Sequence, residues 1–385
     1  MTEHSNKIGG SSAARAIACP GSIPLSAKLP DSTSEFAAEG TALHNCMERI
    51  LEDPELKTTS LIGTKQTVDG YEIEITEELH NEKIIPALEA FDRFLDEIEQ
   101  VGGAEAEFGI EERVEWGRPL LGCFGTGDVI GRAGKVAFIL DWKFGDGVMV
   151  DAKDNTQLRF YAGAGRETQT TAEYFDGVEQ IWTAIVQPSN HRDDPLDIDR
   201  DVTHGDLDIL KNDLVQALHN SVKGIEAMAI GPHCRWCKVK PECPLMHNTA
   251  VEKIEREINV DNLEEDLRLV DELEDWIKSV RTLAHESLER GIEIPGWKLV
   301  AKRAMRKWVD EDKVLAWARK QGLVTKLFPQ KLITPAQAAK VTDLPEEFVK
   351  SVSSGTTLAP ADDKRKAVPS TAGIAKVAKQ ARSKT

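Results

Sequence analysis

The chain has 385 residues, enough for two ordinary domains or one large one with appendages. Apolar residues make up 41% and charged residues 29%, so a buried core is attainable over most of the length, and no apolar run approaches the roughly 20 residues of a membrane helix. The formal net charge of -17 excludes a general basic coat for wrapping nucleic acid, but leaves room for one local groove whose metal ligands are themselves carboxylates.

The N-terminal stretch MTEHSNKIGGSSAARAIACPGS lacks the apolar middle of a signal peptide, and a cytoplasmic location without membrane association is expected. A short helix is predicted over Ser12 to Ala18, a longer one over Ser34 to Leu51, and an amphipathic one over Thr76 to Ile98, where Leu79, Ile84, Leu88, Phe91, Leu95 and Ile98 recur at helical spacing. The period then changes. Ala104–Trp116, Gly122–Gly131 and Lys135–Phe144 read as strands, the last two joined by a turn at Arg132 to Lys135. A helix over Thr156 to Thr168, a strand over Gly177–Gln187 and a helix over Leu207 to Ile230 follow. Helices flanking a small mixed sheet make an α/β or α+β class.

Val251 to Arg290 reads as a charged pair of helices with an apolar stripe that includes Leu263, Leu267, Leu273, Trp276 and Val280. A short strand at Trp297–Val300 and a helix around Asp310–Gln321 come next. From Ser351 onward the chain reads as a basic, disordered tail, with seven Lys or Arg against Asp362 and Asp363 after Ala361. The expected division is a first domain over 1–248, a helical accessory region over 249–350 and the tail over 351–385.

The chemistry concentrates in GTGDVI and FILDWKFG. Asp141 and Lys143 are two apart on a strand and share a face, while Trp142 points the other way with Val136, Phe138 and Leu140. The hairpin brings Asp128 near position 139, diagonal to Asp141 on the same face. Asp-x-Lys alone is common; the apolar run before it and the aligned Asp128 give it weight. Two carboxylates that close repel, and a bound Mg²⁺ or Mn²⁺ offsets the charge and suits phosphodiester hydrolysis, with Lys143 at the attacking water or the developing charge. His44, on the helix begun by Glu39-Gly40-Thr41, is a further ligand candidate through a neutral imidazole. Gln157 and Tyr161 lie at i, i+4 and share a helix face.

Three of the six cysteines crowd into Cys234-x2-Cys237-x5-Cys243. A reducing cytoplasm disfavours disulfides, so the spacing points to a metal or a cluster. Zinc completed by His233 or His247 fits the spacing, and so does an iron–sulfur cluster with a distant fourth cysteine, for which Cys19-Pro20 has the right character. Cys46 and Cys123 read as small buried residues.

These elements, in this order, resemble the RecB-like branch of the PD-(D/E)XK nucleases. The shared pattern is His44 on an early helix, Gly125-Thr126-Gly127-Asp128, Asp141-Trp142-Lys143 after an apolar strand, and Gln157 with Tyr161. The resemblance implies a restriction-endonuclease-like core and metal ligation by His44, Asp128, Asp141 and the main-chain carbonyl of Trp142. It further implies a catalytic role for Lys143 and a DNA-proximal one for Gln157 and Tyr161. Cys19, Cys234, Cys237 and Cys243 are similar to the cysteines of CRISPR-associated exonucleases and AddB-type recombination nucleases, which implies a [4Fe–4S] cluster tying the ends of the nuclease domain. The resemblance covers roughly Ser11 to Met246. The stretch around GIEIPGWKLVAKRAMRKWVDED is similar to a phage-encoded family of uncharacterised RecB-like nucleases. The function implied is a metal-dependent deoxyribonuclease, in type an exonuclease, serving recombination, replication or repair of phage DNA. The partners implied are DNA and a single-strand-binding protein or recombinase. A catalytically silent DNA-end-binding protein on the same fold, and a regulatory protein whose function is the cysteines, are the alternatives. The first has no need of Asp141 and Lys143 together, and the second leaves Asp128, Asp141 and Lys143 unexplained.

Overall fold

The computed structural model describes residues 5, 7–29, 34–189, 193–255, 263–289, 292, 294, 295 and 297. These belong to one unit, Met1–Leu299. Apart from Trp297, the expected strand at 297–300 lies outside them, as do the expected helix at 310–321 and the basic tail.

Helix α1 (Ala13–Ala18) and the single turn α2 (Ile23–Ser26) flank Cys19. Helix α3 (Glu35–Glu52) begins where the Ser34 side chain accepts from the Ala37 N–H, and buries Ala38, Ala42, Leu43, Cys46 and Met47 along one stripe. A hairpin of β1 (Lys65–Val68) and β2 (Tyr71–Glu74) follows. Its turn residues Asp69 and Gly70 both have positive φ, the conformation an Asp-Gly pair supplies in a tight hairpin. The expected helix from Thr76 is three pieces. The short α4 (Glu77–Leu79) passes through a π-helical turn, His80–Ile84, into α5 (Ile85–Gly102), which Gly103 ends in the left-handed conformation.

The main sheet has the order β3 (Ala106–Glu115), β4 (Phe124–Ala133), β5 (Val136–Trp142), β6 (Gln180–Val186) and β7 (Leu196–Val202). Only β5 and β6 pair in parallel, and α6 (Thr156–Gly165) lies in the crossover that a parallel pair requires. The Asn155 side chain starts α6 by accepting from the Gln157 and Leu158 N–H groups. Then come α7 (His204–Asn220), α8 (Pro244–Glu255) and α9 (Leu263–Glu289).

Helices cover both faces of the sheet. Val129, Phe138, Leu140 and Trp142 pack with α3 and α5 in one layer, while Ile130, Ala137, Ile139 and Ile181 pack with α1, α6 and α7 in the other. All seven β5 residues are buried for that reason. The α/β class with a mixed central sheet flanked by helices is therefore observed. No helix among the described residues is long and apolar enough to cross a membrane.

Four local expectations are corrected. The hairpin turn is Gly134-Lys135 alone, because Ala133 still pairs with Val136. Ile130, not Asp128, is opposite Ile139, and continuing that register puts Asp128 directly opposite Asp141. Strand β7 went unread because its sequence, LDIDRDV, is acid-rich; Asp197 and Asp199 accept from N–H groups of the loop before α6. The helix expected to reach Ile230 stops at Asn220, beyond which Gly224 adopts a non-helical φ of 61°.

Candidate active site

The site forms where β5 ends. Asp128 and Asp141 are both buried, on neighbouring strands. Asp128 Oδ2 accepts from the Trp142 N–H at 2.7 Å and lies 3.5 Å from His44 Nδ1. His44 reaches the strand end from α3, its ring packed edge-to-face on Phe144 with centroids 5.5 Å apart.

Lys143 Nζ is 2.5 Å from Asp141 Oδ2 and donates to Gln157 Oε1 at 3.2 Å. Gln157 Nε2 in turn donates to Asp141 Oδ1 and to the Tyr161 hydroxyl, each at 3.0 Å. The amide orientation of Gln157 is thus fixed by three partners. Tyr161 is held by close backbone: a side chain at Gly10 or Gly125 would collide with its ring. The structure places all of the expected residues in this neighbourhood, His44, Asp128, Asp141, Lys143, Gln157 and Tyr161, with Trp142 contributing its N–H to Asp128.

Sequence reading missed Glu111. It lies on β3 between the paired residues Ile110 and Glu112, in register with Asp128. Among the described residues, His44, Glu111 and Asp128 form the group whose ligand atoms lie within 4.8 Å of one another. The backbone at Glu111 has φ of 52°, uncommon for a residue with a side chain. There the strand changes layers, with Phe108 packing on the α5 side and Val114 on the α6 side. No pattern in the sequence marks this residue; only the β3–β4 register does.

The electrostatics record crowded negative charge. Burial and the nearby Asp128 charge push Glu111 up to about 7. Burial also pushes Asp128 up, but the His44, Lys143 and Trp142 N–H partners outweigh it and hold its carboxyl below the ordinary range. Asp141 stays raised, by burial first and by Asp128 besides, although Lys143 opposes the shift. Burial lowers Lys143, yet Asp141 and Asp128 keep its pKa above the ordinary value, so it is an ammonium here. Burial keeps the Tyr161 hydroxyl protonated.

This donor set fits a hard divalent cation. It offers the His44 imidazole and the Glu111 and Asp128 carboxylates within 4.8 Å of one another, with the buried Asp141, paired to Lys143, on the neighbouring strand. Glu111, Asp128 and Asp141 are the residues a dication relieves of mutual repulsion.

The cysteines form a second site. Cys19, Cys234, Cys237 and Cys243 line one cavity together with Arg15, His233 and Lys240. Cys19 Sγ accepts from the Ala229 N–H at 3.5 Å, which draws residues 210 positions apart into contact. Burial works against the Cys19 thiolate, but His233 and the Ala229 N–H hold its pKa below the ordinary thiol value. His233, bonded to the Cys19 and Cys234 sulfurs, is pushed up to about 10. Cys46 and Cys123 are buried, as expected, away from this cavity.

Residues 4–366 match the family described as "Protein of unknown function (DUF2800)". The chain belongs to the DUF2800 family. Two solved structures share weak likeness with this DUF2800 chain. The crystal structure of SSO0001 is 11% identical, with 64% of this chain and 89% of that one covered and a TM-score of 0.26. A crystal structure from Eubacterium rectale named "Putative exonuclease" is 13% identical, with 66% of this chain and 90% of that one covered and a TM-score of 0.31.

Proposed function

We propose that the chain is a metal-dependent deoxyribonuclease of the RecB-like PD-(D/E)XK type. The observation that carries the reading is the convergence of Asp128, Asp141, Lys143 and Gln157 at the end of one buried hairpin, with His44 and Glu111 beside Asp128. His44, Glu111 and Asp128, with Asp141 beside them, would hold Mg²⁺ or Mn²⁺. When bound, such an ion polarises a phosphoryl oxygen and lowers the pKa of water, which is the chemistry phosphodiester hydrolysis needs.

The chain's own groups do the positioning. Lys143 presents a charged donor between Asp141 and Gln157, where it orients a water or meets the charge that builds on the phosphate. Gln157 holds that ammonium in place and donates to Asp141 Oδ1, while Asp141 Oδ2 meets the Lys143 ammonium. Tyr161, protonated and hydrogen-bonded to Gln157, braces the amide from its buried position. The exonuclease mode, phage DNA as the substrate and a single-strand-binding protein or recombinase as partner belong to the same reading.

We also propose that the four cysteines hold a [4Fe–4S] cluster. The four line a single cavity, Cys19 coming from the N-terminal end of the unit and Cys234, Cys237 and Cys243 from the segment after α7.

Digestion of end-labelled linear and circular DNA by anaerobically purified protein, with Mg²⁺, Mn²⁺ or EDTA, tests the activity. Loss of linear DNA only with the metals is expected. Cleavage that persists in EDTA overturns the reading.

A further inference from the structure

One buried charge next to the site has no part in the chemistry described. Lys83 projects inward from the π-helical turn His80–Ile84, and its side chain is 10% exposed. An extra residue in a helical turn rotates every later position about the helix axis, and here the turn buries His80, Lys83 and Ile84 together. The Lys83 ammonium donates to Glu39 Oε1 and to the Phe144 carbonyl, each at 3.0 Å, and lies 3.1 Å from Asp146 Oδ1. Its three donors are matched by three acceptors from two other parts of the chain.

Those acceptors sit next to the candidate ligands. Glu39 is on α3, five residues before His44. Phe144 directly follows Lys143, and its ring packs on the His44 imidazole. Lys83 therefore fastens the helix that presents His44 to the chain that leaves the Asp141–Lys143 strand. Burial disfavours its charge, but Glu39 and Asp146 outweigh the penalty, so the clamp stays ionic.

Building on the metal-dependent reading of the site, we propose that Lys83 is a positioning residue that fixes the separation between His44 and the Asp141–Lys143 strand end, and thereby sets the affinity for the divalent cation. It touches neither substrate nor metal. Supporting residues of this kind act on ligand geometry, so their loss appears in the metal constant and not in the turnover of the loaded site.

Manganese binding to the full-length protein, read from the loss of the free-ion EPR signal, tests this alongside cleavage at varied Mn²⁺. Lys83→Met keeps the side-chain length and removes the donors. Glu39→Ala releases only the α3 end of the clamp, at a half-buried position where folding is little at risk. Lys83→Met is expected to weaken Mn²⁺ binding by about 10–100-fold and Glu39→Ala by roughly 3–10-fold, with cleavage at saturating Mn²⁺ within about 3-fold of wild type. A misfolded fraction lowers the number of sites but leaves the constant of the remainder alone. If Lys83→Met fails to fold, Glu39→Ala decides. A manganese constant unchanged in the folded variants overturns the role of Lys83. Wild-type protein that neither binds Mn²⁺ nor cleaves overturns the metal reading itself, and the role of Lys83 with it.

Discussion

Asp128 accepts the backbone N–H of Trp142, so an acid on one strand is fixed to the strand that carries Asp141 and Lys143. The bond occupies Oδ2, the oxygen that also faces His44. Strand pairing alone brings the two acids together. This bond and the His44 contact then determine how Asp128 is aimed.

Asp141→Asn is expected to leave the fold intact, because the amide can keep the Gln157 contact, and to lower metal-dependent cleavage by roughly 10²–10³-fold or more. Lys143→Ala should cost nearly as much. Thermal melts and initial rates on the same preparations check both, and an active Asp141→Asn variant removes Asp141 from the chemistry.

Glu111 gives a pH dependence to the stability of the metal-free protein. Its folded-state pKa of about 7 lies above the ordinary 4.5, so the folded protein holds this proton more tightly than the unfolded chain does. Its contribution is fully present below 4.5 and is lost as pH rises toward 7. Because Glu111 is only partly buried, the loss is on the order of 1–2 kcal/mol, less than the full shift implies. Glu111→Gln cannot ionise. In EDTA it should match wild type at pH 4.5 and exceed it above pH 7, as read by urea denaturation. Parallel profiles for the two proteins would show that Glu111 ionises freely. With Mn²⁺ present the order should reverse, since the variant lacks a ligand.

Cys19→Ser is expected to lose iron and acid-labile sulfide and to lower the melting temperature of the whole unit. Cys19 meets the Ala229 region across 210 residues, so the group it helps to hold closes a very long loop. The wild-type protein, purified without oxygen, should be brown. Stoichiometric zinc without iron would decide for the Cys₃His alternative.

Gly10→Ala places a methyl group into the Tyr161 ring. The ring is buried and cannot swing free, so the variant should lose about 1–3 kcal/mol of stability. Cleavage should fall as well, because Tyr161 braces Gln157. Tyr161→Phe removes the hydroxyl but keeps the ring carbons that the methyl meets. In the Gly10→Ala background it should therefore leave stability low and activity reduced, as read by thermal melts and initial rates.

The sequence alone determined the parity of β5, the clustering of Asp128, Asp141 and Lys143, the shared helix face of Gln157 and Tyr161, and the grouping of Cys234, Cys237 and Cys243. Each follows from a local period or spacing, which depends only on backbone geometry. The β1–β2 hairpin is absent from the sequence reading, although Asp69-Gly70 carries a hairpin signal that would have found it. Tertiary structure decided the rest. The exact register made Asp128 the partner of Asp141, and a one-pair difference in register cannot be read from two strands apart. Glu111 joined the site only through β3–β4 pairing and a left-handed backbone that no residue type announces. Lys83 and Glu39 became neighbours because α3 and the π-helical turn pack together, a contact between residues 44 positions apart that no local pattern encodes.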